Sequence, residues 1–258
     1  MNTGFSVSLS FIGLFLFLSV GMVEAQTSKV TEREASTKPK YGFGKRTLLI
    51  RDDVTIGQRK YYDNGQLFEE ERYLNDERVL HGEKTTWHRN GKRWQVLNYS
   101  KGVLDGTCTS WDEEGRELAS CEIRNGTGVL QEFHGNGKLI SEKTYLKGKK
   151  HGNHRRWYDD GSLFADTQYV NDEFEGWARS YHSNGQIRSE VTYSKGKRHG
   201  VRYYWNEAGE LANHFDPSKK ADNKEVTPHY YVKGEKVSLE EYQNAAVNDP
   251  TLRKIEER

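Results

Sequence analysis

Seven glycines, Gly65, Gly91, Gly115, Gly137, Gly161, Gly185 and Gly209, recur at intervals of 26, 24, 22, 24, 24 and 24 residues, and their surroundings recur with them. Four residues before each stands an aromatic: Tyr61, Trp87, Trp111, Phe133, Trp157, Tyr181 and Trp205. Eight residues after stand Tyr73, Tyr99, Ile123, Tyr145, Tyr169 and Tyr193, until Pro217 ends the series in the seventh unit. A second turn follows, as at Lys101-Gly102, Asn125-Gly126, Lys147-Gly148 and Lys195-Gly196. Glycine supplies the positive φ that such tight turns demand. Between turns, apolar and polar residues alternate with the period of a strand, as from Gln186 to Tyr193. Each unit is therefore two short strands and two turns. A lone hairpin of this length is marginal in water, so the units must stack, and the aromatic columns read as the packing ladder.

Composition agrees with a thin, sheet-rich body. Only 34% of the 258 residues are hydrophobic, while 30% are charged and 12% aromatic, too polar for a thick core. A formal net charge of +1 gives no electrostatic case for a nucleic acid partner. Four segments follow. Residues 1–25 read as a signal peptide or an amino-terminal anchor, with an apolar run from Phe5 to Val23 and small residues before a cleavage point after Ala25. The protein is thus expected to be exported, whether periplasmic, secreted or membrane-anchored. Residues 26–50 read as a polar linker, 51–215 as the seven repeats, and 216–258 as a tail. In that tail Ser238 and Glu241 form a capping box, which predicts a short helix from Leu239 to Val247 that caps the open end of the sheet.

Units of about 24 residues, with an aromatic, an Asn-Gly or Asp-Gly turn, a Tyr and a Lys-Gly-Lys-x-His-Gly end (Lys147 to Gly152, Lys195 to Gly200), resemble the MORN-repeat variant class. Many bacterial members of that class are grouped as antitoxins of toxin–antitoxin systems. The resemblance implies an all-β fold, an elongated single-layer antiparallel sheet of stacked hairpins, and protein or membrane tethering; it brings no catalytic motif. Unit one departs from the pattern, with Ile56 where later units open on glycine, and unit three lacks the Tyr and the His-Gly.

Four groups of residues bear on chemistry. His81, His151 and His199 each precede a unit-opening glycine, but at two strands of ~4.8 Å per unit, equivalent positions lie ~10 Å apart, too far to share a metal. Lys147, Lys149, Lys150, Lys195, Lys197 and Arg198 make basic turns that are candidates for contact with a partner or an anionic lipid surface, with the acidic turn from Asp172 to Glu175 between them. Cys108 and Cys121, the only cysteines, flank Gly115. A two-residue loop sets them opposite each other and a three-residue loop sets them on opposite faces. Leu118 faces Trp111 only in the first register, which predicts a cross-strand disulfide. No Gly-x-Ser-x-Gly, His-Glu-x-x-His or phosphate-loop motif is present, and no catalytic residue, cofactor or metal is expected. The reading that results is an exported, non-enzymatic scaffold for an unidentified protein partner, immunity- or antitoxin-like, with a lipid-binding membrane-surface module as the alternative.

Overall fold

The computed structural model describes residues 29–35, 43–74, 76–212 and 228–252, and within them the repeats are antiparallel hairpins joined edge to edge. The first sheet holds β1 (Thr31–Glu34), β2 (Phe43–Arg51), β3 (Val54–Tyr62), β4 (Leu67–Arg72), β5 (Gly82–Trp87), β6 (Arg93–Ser100), the two-residue β7 (Val103–Leu104), β8 (Gly106–Trp111) and β9 (Glu117–Ile123). The second holds β10 (Gly128–Phe133), β11 (Leu139–Leu146), β12 (Lys149–Trp157), β13 (Leu163–Val170), β14 (Glu173–Tyr181), β15 (Ile187–Ser194), β16 (Lys197–Tyr204), β17 (His229–Val232) and β18 (Glu235–Val237). One helix, α1 (Leu239–Asn248), follows. Neither sheet closes on itself.

The first turn of every unit is built alike. The glycine amide bonds the carbonyl three residues back, as from Gly65 to Tyr62 at 3.0 Å, and the Tyr62 amide bonds the carbonyl of Gln66 at 2.8 Å. That is a three-residue loop with Gly65 at φ +84°, where a Cβ would strain the backbone. The Asn64 carboxamide oxygen takes the Gln66 amide, and Asn90, Asn136 and Asn184 repeat that bond. Past the turn the strand bulges: Tyr61 faces Leu67 and Lys60 faces Glu69, so Phe68 is left between them. Trp94, Leu118, Ile140, Phe164 and Arg188 are the same extra residue in later units. The bulge adds one residue to the strand after the turn, which cancels the slip that the three-residue loop introduced.

The loop of unit three is the three-residue form, and Trp111 faces Glu117 rather than Leu118. Cys108 nonetheless sits directly opposite Cys121, because the bulge at Leu118 restores the register. Both are free thiols in this structure.

Cross-strand pairing sorts the two aromatic columns onto opposite faces. Gln131, Glu142, Arg155, Asp166, Arg179, Glu190 and Tyr203 pair in one continuous row, and Phe133, Trp157, Tyr181 and Trp205 stand two residues further along the same strands. We call this the tryptophan face. The tyrosine face carries His154 beside Tyr145 and Tyr169, with ring centroids 5.9 and 4.6 Å away, then Tyr169 on Phe174 at 4.7 Å and Phe174 on Tyr193 at 4.8 Å. The packing ladder expected of the aromatics is made here. Burial pushes the Tyr145 hydroxyl up to about 12 and lowers the His154 pKa, so His154 is held neutral, its Nε2–H donating to the Thr144 carbonyl at 2.9 Å.

The expected single sheet is two. After β9 the ladder stops, apart from one bridge between Arg124 and Thr127. Carbonyls on the outer edge of β10 are taken by side chains from β6 instead: Trp94 Nε1 donates to Phe133 at 2.8 Å and Gln95 Nε2 to Gln131 at 3.5 Å. Leu97, Cys108, Ile123 and Leu130 bury one another at this junction, with Tyr99, Leu104, Cys121 and Tyr145 around them.

Sequence boundaries also shift. Residues 31–34 and 43–50, expected in the linker, lie in strands β1 and β2, where Leu49 is buried and the Glu32 carboxylate meets Arg59. The apolar run Leu48-Leu49-Ile50 is too brief to stand out from its polar surroundings. The tail forms β17 and β18 before α1, whose capping box is present as expected. The helix does not sit on the sheet edge, which β18 occupies. Tyr242, Ala246 and Leu252 instead pack with Val201, Tyr203, Tyr230, Val232 and Val237 on the tryptophan face. Residues 1–25 lie outside the described residues. Among those described, no helix is long and apolar enough to cross a membrane.

Candidate functional site

Hydrogen bonds between units run along both rims of the sheet, and they settle which polar groups are left to act. At the Asn-Gly rim the residue three before the glycine bonds a carbonyl of the next unit in four of the units. Tyr62 donates its hydroxyl to the Trp87 carbonyl at 2.8 Å, and Tyr158 does the same to Tyr181 at 2.8 Å. His88 Nε2 bonds the Trp111 carbonyl at 2.9 Å and His182 Nε2 that of Trp205 at 2.8 Å. This column of Tyr62, His88, Tyr158 and His182 was overlooked beside the louder aromatic column one position earlier, although the same alignment on glycine contains it. Removing one such bond by Tyr158→Phe is expected to lower stability by about 1 kcal/mol without altering the fold, read as a shifted urea midpoint at unchanged slope.

At the opposite rim each turn donates to the one before it. Gly148 bonds the Gly126 carbonyl at 3.0 Å, and Gly196 that of Phe174 at 2.9 Å. The amides of Lys101 and Lys233 are accepted by His81 Nδ1 and His199 Nδ1, and those of Lys147 and Lys195 by Thr127 and Glu175. Two of the three turn histidines therefore act as acceptors for neighbouring turns. His199 also ties down the end of α1, its Nε2 lying 2.8 Å from Thr251 Oγ1 and 3.3 Å from Asp249. Among the described residues no three His, Cys, Asp or Glu side chains gather as metal ligands.

The six candidate cations do not form one patch. Lys150 Nζ lies over the Tyr169 ring at 5.2 Å, and the Arg198 guanidinium over Tyr231 at 5.3 Å, so both fold onto the tyrosine face. Lys147, Lys149, Lys195 and Lys197 remain exposed at the rim, with exposed Asp172 and Glu173 between the two pairs.

The tryptophan face is different. Tyr61, Trp87, Trp111, Phe133, Trp157, Tyr181 and Trp205 are all half-buried, none covered and none fully open. Beside them the charged row is paired in part: Arg179 meets Glu190 at 2.5 Å and Trp177 at 4.4 Å, and Arg155 lies between Glu142 at 3.6 Å and Asp166 at 3.4 Å. Asp166 is 7% exposed, yet its Oδ1 has no hydrogen-bond partner. Helix α1 already occupies the end of this face at β16–β18 and leaves the rings of β10–β15 half-exposed.

Rim bonds between units, a one-residue bulge after each turn and two aromatic columns on opposite faces describe a stacked-hairpin repeat. Five of its units match the MORN repeat variant. The matched segments are residues 58–75, 80–101, 127–147, 150–171 and 175–195. The stretch holding β8 and β9 is not among them, which agrees with its place at the break between the sheets. A search of the curated proteins finds no match. MORN repeats are in general scaffolds for interaction with proteins or membranes.

Proposed function

We propose that this MORN-type chain is an exported, non-enzymatic scaffold whose tryptophan face, over β12–β15, receives an amphipathic helix of a protein partner. The observation that carries the reading is α1: the same face already holds an apolar helix stripe at its far end, and the half-exposed rings continue from there. The partner helix is expected to present a Lys or Arg to Asp166 Oδ1, because a buried acceptor without a donor costs about 1–3 kcal/mol that such a residue would recover. Aromatic and Arg side chains in a shallow, half-dried row are also the residue types that dominate interface energies. A toxin held by an immunity-like scaffold is one instance of this class. The apolar amino-terminal stretch favours a partner in the cell envelope or outside it. The lipid-surface alternative is left with four dispersed lysines and acidic residues between them.

The test is recovery of partners by the tagged full-length chain from envelope and secreted fractions, run beside Trp157→Ala and a Lys147→Ala, Lys195→Ala double variant. A protein retained by the wild type and the lysine variant but lost by Trp157→Ala, at an unchanged melting temperature, supports the reading. Equal retention by Trp157→Ala overturns it, as does retention of anionic vesicles alone, lost when the lysines are removed.

A further inference from the structure

We propose that Cys108 and Cys121 form a thiol–disulfide exchange site at the junction of the two sheets, with Cys121 as the attacking thiol and Cys108 as the resolving one. Three observations converge. The residues are direct cross-strand partners on β8 and β9, on the same face, so closing a bridge requires no change of register. Both are unbonded thiols. Their exposure is unequal: Cys108 is buried at 3%, with its Sγ 3.9 Å from the Gly106 carbonyl, whereas Cys121 is half-buried on the terminal strand of the first sheet. Cys121 is therefore the sulfur that a second molecule can reach, past a strand with no ladder partner on its outer side.

Electrostatics divides the roles the same way. The neighbouring Cys108 side chain, with a smaller share from its backbone amide, holds the Cys121 pKa below the ordinary thiol value, against the opposing effect of burial. The Cys121 side chain beside it, together with burial, pushes Cys108 up. The thiolate is the nucleophile in exchange, and Cys121, the more exposed sulfur of the two, is the one placed to attack.

The co-reactant is a disulfide, either of a small thiol or of a redox protein. Cys121 Sγ attacks one of its sulfurs, forming a mixed disulfide and releasing the other sulfur as a thiolate. Cys108 then gives up its proton, its sulfur attacks Cys121 Sγ, and the second thiolate leaves. Two protein thiols are oxidised to one disulfide while the co-reactant is reduced to two thiols. The product fastens β9 to β8 where Cys108 already packs on Leu97, Ile123 and Leu130, so the redox state acts on the contact between the sheets.

Full-length protein is reduced, freed of reductant and incubated with oxidised glutathione, then read by intact mass. The wild type is expected to lose two hydrogens and carry no adduct. Cys108→Ser is expected to stop at one glutathione adduct, and Cys121→Ser to take none while folded. Brief alkylation of the reduced wild type, followed by peptide mapping, is expected to label Cys121 about tenfold faster than Cys108; this measurement decides the assignment even where a serine variant fails to fold. Two free thiols persisting in the oxidised wild type would overturn the site. Equal labelling of the two cysteines, or an adduct on folded Cys121→Ser, would overturn the roles.

Discussion

Lys84→Ala is expected to lower stability by about 3 kcal/mol, at the lower end of what breaking a buried ion pair costs, because the lysine is not fully enclosed. Lys84 Nζ lies 3.0 Å from Glu69 and 3.1 Å from Glu71, and Lys60 reaches Glu69 at 2.5 Å. Both carboxylates are more than nine-tenths buried. Glu71 also accepts from Gln58 Nε2 and from the Tyr73 hydroxyl, each at 2.6 Å. Removing the lysine leaves two buried carboxylates facing one remaining cation. The pH profile should change with it. Burial tends to raise the Glu71 pKa, but the Tyr73 hydroxyl and Lys84 outweigh it and hold the value below the ordinary range. Its contribution is present above the unfolded value, ~4.3, and is lost as pH falls through the lower folded value. For Lys84 the two carboxylates outweigh burial and raise the pKa, so its contribution is present below ~10.4 and is lost as pH rises through the higher folded value. Urea midpoints measured from acid to alkaline pH should show both limbs in the wild type. In Lys84→Ala the alkaline limb should shrink and the acid limb flatten. Identical profiles for the two proteins would show that the cluster contributes nothing to folding.

Ile123→Ala should cost about 3 kcal/mol, and it should also change the form of the unfolding transition. Ile123 is 0% exposed, ends the last strand of the first sheet, and packs between Leu97 and Cys108 of that sheet and Leu130 of the second. Large-to-small changes at such positions lose transfer energy and leave a cavity. Stacked repeats stay cooperative only while their interfaces hold, and here the backbone ladder is interrupted. The variant is expected to unfold in two steps by hydrogen exchange, with amides of one sheet exchanging ahead of the other. A matched substitution away from the junction, Val191→Ala, should lower stability while leaving a single step. If Ile123→Ala also unfolds in one step, the shared core is not what couples the sheets.

The tryptophan face and the cysteine pair were legible to different degrees. Spacing on glycine exposed both aromatic columns, but it could not say that one would pack ring on ring while the other would stand beside a row of ion pairs. That division depends on face parity, and parity here is reset by bulges at residues such as Phe68 and Leu118, which look like ordinary strand residues in the chain. The cysteine register was foreseen for a reason that does not hold, since the expected Trp111–Leu118 pair is absent. Asp166 could not have been singled out at all. Its Oδ1 stands unpaired while Arg179, its cross-strand neighbour, bonds Glu190.

What the amino-acid order determined by itself was local: where the chain turns, that it runs as strands, how often the pattern returns, and that Ser238 and Glu241 begin a helix. These follow from backbone preferences and side-chain bonds within a few residues, which each unit carries whole. Only the tertiary structure decided that the strands divide into two sheets at β9, that Lys150 and Arg198 fold onto tyrosines rather than project from the rim, and that α1 lies on a face rather than an edge. Those outcomes come from competition between distant groups. Trp94 and Gln95 take the carbonyls that β9 would have paired, and a ring nearby in space draws in a cation that the sequence leaves free to point anywhere.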